Sequence, residues 1–150
     1  MKFTCPNCDR IFLGRILGSF GFRGVDENLC QEFWGYNPML IFLTMCPHCE
    51  HVGNPSEYDP SEAETQEDLL EAPETCETYV RLAEKMISEG TDSFQIASLF
   101  HQGACCRKLQ GEDPTTLFRM ANKYYEITKK NGIDLGDDID IDVLIEKTSV

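Results

Sequence analysis

Apolar residues recur at three- and four-residue steps over three stretches in the second half of the chain, and that spacing predicts amphipathic helices. From about Glu74 to Glu89, the positions Cys76, Tyr79, Val80, Ala83, Met86 and Ile87 fall on one face, and Gly90 ends the run. The next helix is expected from Asp92 to near Gln110, with Asp92 as N-cap and Gln95 three residues on as its capping-box partner. Its apolar side is Phe94, Ala97, Phe100 and Ala104, with Leu99 and Cys106 at the margin. The third opens on Asp113-Pro114, a cap followed by proline at the first helical position, and closes on Asn131-Gly132. Leu117, Met120, Ala121, Tyr124 and Ile127 form its stripe. The short link at 111–113 makes the second and third helices antiparallel neighbours. Stripes of this kind are expected to be core.

The first half has a different pattern. Gly14, Gly18, Gly21, Gly24 and Gly35 punctuate residues 1–53 with turns, between short runs of Phe and β-branched residues. Lys2 to Cys5 and Arg10 to Leu13 predict short strands, and the apolar run Met39 to Met45, bounded by Pro38 and Cys46, predicts a longer one. Residues 54–73 hold three prolines and seven acids, which marks an acidic linker, with a helical turn expected near Glu64 to Leu70. In the tail, 133–150, Ile139, Ile141 and Val143 alternate with aspartates. That pattern suits either a strand or a last helix at Val143 to Lys147. The fold class expected is α+β: a small β-rich module at 1–53, the linker at 54–73, a helical region at 74–132 and an acidic tail.

Charge sharpens this division. The net charge is −13, but residues 1–53 and 76–133 are each within one unit of neutral, and the acidity lies in 54–75 and 134–150. Acidic stretches of this kind are solvated segments, and no dense basic patch of the sort that binds nucleic acid is visible. No apolar run approaches the roughly 18 residues of a membrane span. The opening Met-Lys-Phe-Thr-Cys-Pro has no signal-peptide core, so a cytoplasmic location is expected.

In a reducing compartment eight cysteines point to metal or catalysis in preference to disulfides. Four of them form Cys5-Pro-Asn-Cys8 and Cys46-Pro-His-Cys49, two tight loops that can each aim two sulfurs at one point. Four thiolates fill a tetrahedron around Zn²⁺ and leave no open position, so the expected site is structural. The 37 residues between Cys8 and Cys46 exceed the usual spacing and imply an excursion, a hairpin or loop through Gly14 to Asn37. Iron in a rubredoxin-like cage uses the same ligands; softness and availability favour zinc. Thiol–disulfide exchange at Cys46-Pro-His-Cys49 would need a helix directly after it, and Glu50-His51-Val52-Gly53-Asn54-Pro55 cannot hold one. His48 and His51 are expected outside the ligand set, Cys30 as a small buried residue, and Cys105, four residues after His101, as buried helical core.

The order of these features resembles a bacterial family of uncharacterised proteins known only as a domain of unknown function. The resemblance rests on the N-terminal Cys-Pro-x-Cys, the segment Asp26-Glu27-Asn28-Leu29-Cys30, the stretch Trp34-Gly35-Tyr36-Asn37-Pro38, the second Cys-Pro-x-Cys and the helices after it. It implies a zinc-ribbon or rubredoxin-like module followed by a tetratricopeptide-like half. Members of that family usually carry glycine after the second cysteine of each pair, where this chain has Asp9 and Glu50. That position often takes φ > 0, which costs a non-glycine residue on the order of 1 kcal/mol. A tetratricopeptide unit is a helix pair of about 34 residues with small residues at the crossing, and at least three units make an array. Residues 93–130, with Gly103, Ala104 and Ala121, suit one helical hairpin of that kind and not an array.

No phosphate loop, nucleophile elbow or His-Glu-x-x-His motif is present, so no enzymatic activity is expected. The leading expectation is a non-enzymatic adaptor with structural zinc that binds a protein partner, with no nucleic acid and no membrane. The alternative is a nucleic-acid-associated or transcription-related zinc-ribbon factor. Against it, Lys2, Arg10, Arg15 and Arg23 are the only cations in the first 53 residues.

Overall fold

The computed structural model describes residues 1–62 and 68–150. It is a mixed α+β fold with three small antiparallel sheets and a set of helices in the second half. The helical turn expected at Glu64 to Leu70 falls largely outside the described residues; Asp68 to Leu70 carry no helix.

Strand β1 (Lys2–Thr4) pairs with β2 (Ile11–Leu13), Phe3 opposite Phe12. A hairpin follows, β3 (Gly21–Val25) and β4 (Gln31–Trp34), with a bulge between Phe22 and Gly24. It fills the excursion between the two cysteine pairs. Its turn is built on Asp26, whose Oδ1 accepts the Asn28 and Cys30 amides at 2.9 Å each, with Leu29 at φ 61°.

The apolar run at 39–45 is not the strand its composition predicts. Met39–Phe42 is a helical turn, α1, and only Thr44–Met45 is a strand, β5. The physical reason lies just upstream. Asn37 Oδ1 accepts the Met39 amide at 3.0 Å, and Pro38 sits at φ −70°, ψ −14°; together they start a helix. Periodicity carries no signal here because residues on every side of the run are buried, and a short apolar run reads alike as strand or helix. β5 pairs with β6 (Val52–Gly53), and β7 (Asp59–Pro60) returns to the other edge of β1.

The helices are α2 (Glu77–Glu89), α3 (Ser93–Leu109), α4 (Thr115–Lys130) and α5 (Ile141–Thr148). Local chemistry sets their ends. Gly90 takes the left-handed conformation at φ 68° that stops α2. Asp92 Oδ1 accepts the Phe94 amide at 2.9 Å, and Asp113 Oδ1 the Thr115 amide at 3.0 Å. The tail resolves as helix: Asp140 caps α5 through the amides of Asp142 and Val143, and Asn122 of α4 donates to the Ile145 carbonyl at 2.8 Å. Among the described residues no helix is long and apolar enough to cross a membrane.

Helix α3 lies between α2 and α4 and buries far more than one stripe: Ile96, Ala97, Phe100, His101, Gly103, Ala104, Cys105 and Cys106 are all inside. One buried cluster joins Ile96, Ala97, Phe100, Ala104, Cys105 and Cys106 to Tyr79, Ala83 and Phe118 and also to Met39, Leu40, Ile41, Leu43, Met45 and Val52 from the first half. The Tyr79 hydroxyl donates to the Met39 carbonyl at 2.8 Å within it. A second, smaller cluster holds Phe3, Phe12 and Tyr58 around Cys5 and Cys46.

The remaining four cysteines pair. Cys30 and Cys105 form a disulfide across a Cα separation of 5.2 Å, and Cys76 and Cys106 a second across 5.6 Å. Cys30, Cys76 and Cys105 are buried as small residues in core are, but bonded, because adjacent positions on α3 meet the hairpin turn on one side and the start of α2 on the other. The partners stand 75 and 30 residues apart in the chain, beyond the reach of any spacing rule.

Candidate metal centre

The two cysteine loops have the same local build. In the first, the Cys5 amide donates to the Arg10 carbonyl at 3.0 Å and the Asp9 amide to the Cys5 carbonyl at 2.9 Å. In the second, the Cys46 amide donates to the His51 carbonyl at 2.9 Å and the Glu50 amide to the Cys46 carbonyl at 2.9 Å. Each loop must reverse in four residues, and each does so with a left-handed residue after its second cysteine: Asp9 at φ 60° and Glu50 at φ 64°. Each also aims a backbone N–H at its first sulfur, Asn7 to Cys5 Sγ and His48 to Cys46 Sγ, both at 3.4 Å. These donors stabilise thiolate charge.

The sheets bring the loops face to face. β1 and β2 flank the first and β5 and β6 the second. Tyr58 closes the gap beneath: its hydroxyl lies 2.8 Å from the Thr44 carbonyl and 2.7 Å from the His51 carbonyl, and its ring meets Phe12 edge-on at 5.4 Å. The four sulfurs of Cys5, Cys8, Cys46 and Cys49 lie within 4.8 Å of one another. Cys5 Sγ stands 3.6 Å from Cys49 Sγ, and Cys8 Sγ 3.8 Å from Cys46 Sγ.

These distances test the fit to an ion. A tetrahedron with metal–sulfur bonds of about 2.3 Å has edges of about 3.8 Å, which matches both separations across the loops. The group is therefore compatible with a bound metal ion. The thiols respond unequally to the site: burial pushes Cys46 and Cys5 up. At Cys49 burial also works upward, but hydrogen bonds from the Asn7 side chain and the His51 amide prevail and hold it down. Cys5 and Cys46 are fully buried while Cys8 and Cys49 are half-buried, so the centre opens to solvent along one side only.

Two histidines stand at this centre outside the four-sulfur group. His48 Nε2 donates to the Ile11 carbonyl at 3.3 Å and ties the second loop to β2. The His51 ring packs on Tyr58 at 5.9 Å. No helix follows Cys49, where β6 begins two residues after Glu50. The structure therefore assembles the four cysteines that the spacing singles out.

A second constellation has no counterpart in the spacing analysis. Cys30 joins His101 and Cys105, with a ring nitrogen and two sulfurs all within 4.8 Å. The His-x-x-x-Cys step along α3 is legible as a shared helix face. Its third member arrives from a hairpin turn more than 70 residues away. Comparison with family models, with curated proteins and with solved structures finds no match to the chain.

Proposed function

We propose that the chain is a non-enzymatic protein-interaction adaptor whose first half is a zinc-ribbon-like module built on one structural zinc ion. The observation that carries this reading is the cluster of four sulfurs at tetrahedral spacing. Cys5, Cys8, Cys46 and Cys49 supply every ligand such an ion takes and leave no position for a substrate. Zinc is favoured over iron by softness and availability. The helical half, read as a tetratricopeptide-like hairpin, supplies the packing partner of the module. Support for the interaction role comes from the β3–β4 hairpin, where Phe22 and Trp34 are exposed, with Tyr36 exposed just beyond β4, more aromatic surface than a hairpin without a partner needs.

The same hairpin bears on the nucleic-acid alternative, since exposed aromatics and arginines together suit single strands. Here Arg15 is ion-paired to Glu74 at 2.8 Å and lies 5.1 Å from the Tyr36 ring, and Arg23 lies 4.7 Å from the Trp34 ring. Those cations are already engaged, and the first 53 residues hold only two more, Lys2 and Arg10, so few phosphates could be neutralised.

Elemental analysis of the purified chain tests the metal: one zinc per chain is expected, lost in Cys46→Ser, and protein prepared without chelator that holds neither zinc nor iron refutes it. Fluorescence anisotropy with labelled single- and double-stranded DNA and RNA tests the alternative. Sub-micromolar, steeply salt-dependent binding would replace the adaptor reading.

A further inference from the structure

Cys105 lies one helical turn after His101 on α3, and the turn between β3 and β4 lays Cys30 over both. Around them the turn is held on all sides. Lys108 Nζ pairs with Asp26 Oδ2 at 2.8 Å, and the Asn28 side chain donates to the Lys147 carbonyl at 2.9 Å. Cys30, His101 and Cys105 are buried.

The hydrogen bonds of His101 decide which nitrogen is free. Nε2 lies 2.8 Å from the Asn28 carbonyl, which can only accept, so Nε2 carries the proton. Nδ1 therefore keeps its lone pair, and the Tyr125 hydroxyl donates to it at 2.9 Å. Metal-bound imidazoles commonly fix one N–H on a backbone carbonyl in this way and keep a lone pair on the other nitrogen.

His101 is reachable from outside. A cavity of about 440 Å³ is lined by His101 and Tyr125 and by Asp138 and Asp140 from the segment before α5. Both aspartates are exposed and would draw a cation to the entrance.

We propose that Cys30, His101 and Cys105 form a second metal site, selective for a soft ion such as Zn²⁺, which the Cys30–Cys105 disulfide closes and its reduction opens. The chemistry balances with a phosphine reductant. The S–S bond takes two electrons from phosphorus and two protons from water, giving two thiols and the phosphine oxide. The ion then displaces both thiol protons and takes the two sulfurs and a ring nitrogen of His101, while water from the cavity fills the fourth position. Two thiolates and an imidazole select zinc over magnesium or calcium. The site thus differs from the four-cysteine centre in having an open position and in depending on the redox state of its own ligands.

The test uses the full chain, incubated with excess zinc and freed of unbound ion, with metal measured before and after anaerobic reduction by a phosphine. One zinc per chain is expected in the oxidised protein and two in the reduced protein. Cys30→Ser and His101→Gln should each hold the reduced value at one, whereas Cys76→Ser should leave it at two. Cobalt(II) gives a readout that needs no variant: reduction should add thiolate-to-cobalt absorption at a second equivalent. A reduced chain that keeps its helical circular dichroism and binds one equivalent overturns the proposal. So does a chain that loses its helices on reduction, because the three ligands are then no longer held together. An oxidised chain with no zinc strikes instead at the four-cysteine centre.

Discussion

The residue after each cysteine pair offers a quantitative probe of the metal centre. Glu50 sits at φ 64°, where an L-residue pays roughly 1–2 kcal/mol for the approach of its Cβ to the backbone. Glycine removes that cost but adds about 0.5–1 kcal/mol of unfolded-chain entropy. The net gain expected for Glu50→Gly is therefore about 0.5–1 kcal/mol. Glu50 also pairs with Arg81 at 2.8 Å, with side chains 57% and 46% exposed, and an exposed pair is worth about 0.2–1 kcal/mol. In the native background the two effects offset, so the substitution belongs in an Arg81→Ala background, where the ion pair is already gone. Forming the loop and binding the metal are one equilibrium, so relief of strain should appear as zinc affinity. Competition against a chromophoric chelator should show binding tighter by roughly two- to fivefold, at about 1.4 kcal/mol per decade. Glu50→Val in the same background should weaken it, since a β-branched residue tolerates positive φ worst. Asp9, exposed at φ 60°, should respond to glycine in the same direction but less, because a short polar side chain tolerates this region better. If glycine at 50 leaves affinity unchanged and valine does too, the loops are not strained and the metal is not coupled to their closure.

Two further outcomes follow from the packing. Residues 74–150 alone should lose the sharp thermal transition of the full chain by circular dichroism: the shared cluster loses Met39, Leu40, Ile41, Leu43, Met45 and Val52, each worth about 1.5–3 kcal/mol when buried, against a total stability of about 5–15 kcal/mol. A fragment that melts at the full-length midpoint would show two independent units with the break at 54–73. At Asp26 burial works upward, but the Lys108 ammonium and the Cys30 and Asn28 amides prevail and hold the carboxyl below its ordinary value. A lowered folded pKa means that this stabilisation is fully present above the ordinary carboxylate range and is lost as pH falls through the folded value. Unfolding free energies from urea titrations of the native chain should thus exceed those of Asp26→Asn by about 1.5–3 kcal/mol near pH 6, and the gap should narrow steadily as pH falls below the ordinary carboxylate range; a gap that does not narrow with acidification removes the ion pair as its source.

What the sequence discloses depends on how local the determining physics is. Helix ends at Gly90, Asp92 and Asp113-Pro114 are set by residues within four positions: Gly90 stops α2 and Asp92 caps α3 through the Phe94 amide without the Gln95 partner expected, while at α4 the cap falls one residue later than expected, on Pro114, with Asp113 accepting the Thr115 amide. The cysteine loops are local in the same sense: proline after the first cysteine, two residues between ligands, and a left-handed residue after the second. The run at 39–45 fails for the opposite reason. Its hydrophobicity reports burial on all sides, and the choice between helix and strand falls to one Asn37 side chain outside it. Helix α3 shows an intermediate case. Phe94, Ala97, Phe100 and Ala104 mark the face expected from periodicity, but His101, Gly103 and Cys105 are buried as well, because the hairpin turn and α2 cover sides that a surface helix would leave wet. Gly103 shows how tight this is: a Cβ there would stand 3.2 Å from Tyr79 Cβ and 3.3 Å from Leu117 Cδ1.

The same distinction explains why half of the cysteines are legible and half are not. A metal ligand pair announces itself by spacing, since both sulfurs must reach one ion from one loop. A disulfide needs only that two Cα atoms come within about 4.4–6.8 Å, which any pair of positions can satisfy once the chain is folded. Cys105 and Cys106 make this plain, because neighbours on one helix point about 100° apart and so meet different elements. One reaches the turn that follows β3, the other the start of α2. The hairpin that carries the exposed aromatics is thereby bonded to the central helix, while the chain continues from its ends through β2 on one side and through α1 and β5 on the other to the cysteine loops. Any partner that pulls on Trp34 or Phe22 acts on a strand pair anchored at Cys30 by sulfur and at Asp26 by charge. The rigidity of that surface then rests on the helical core as much as on the metal centre.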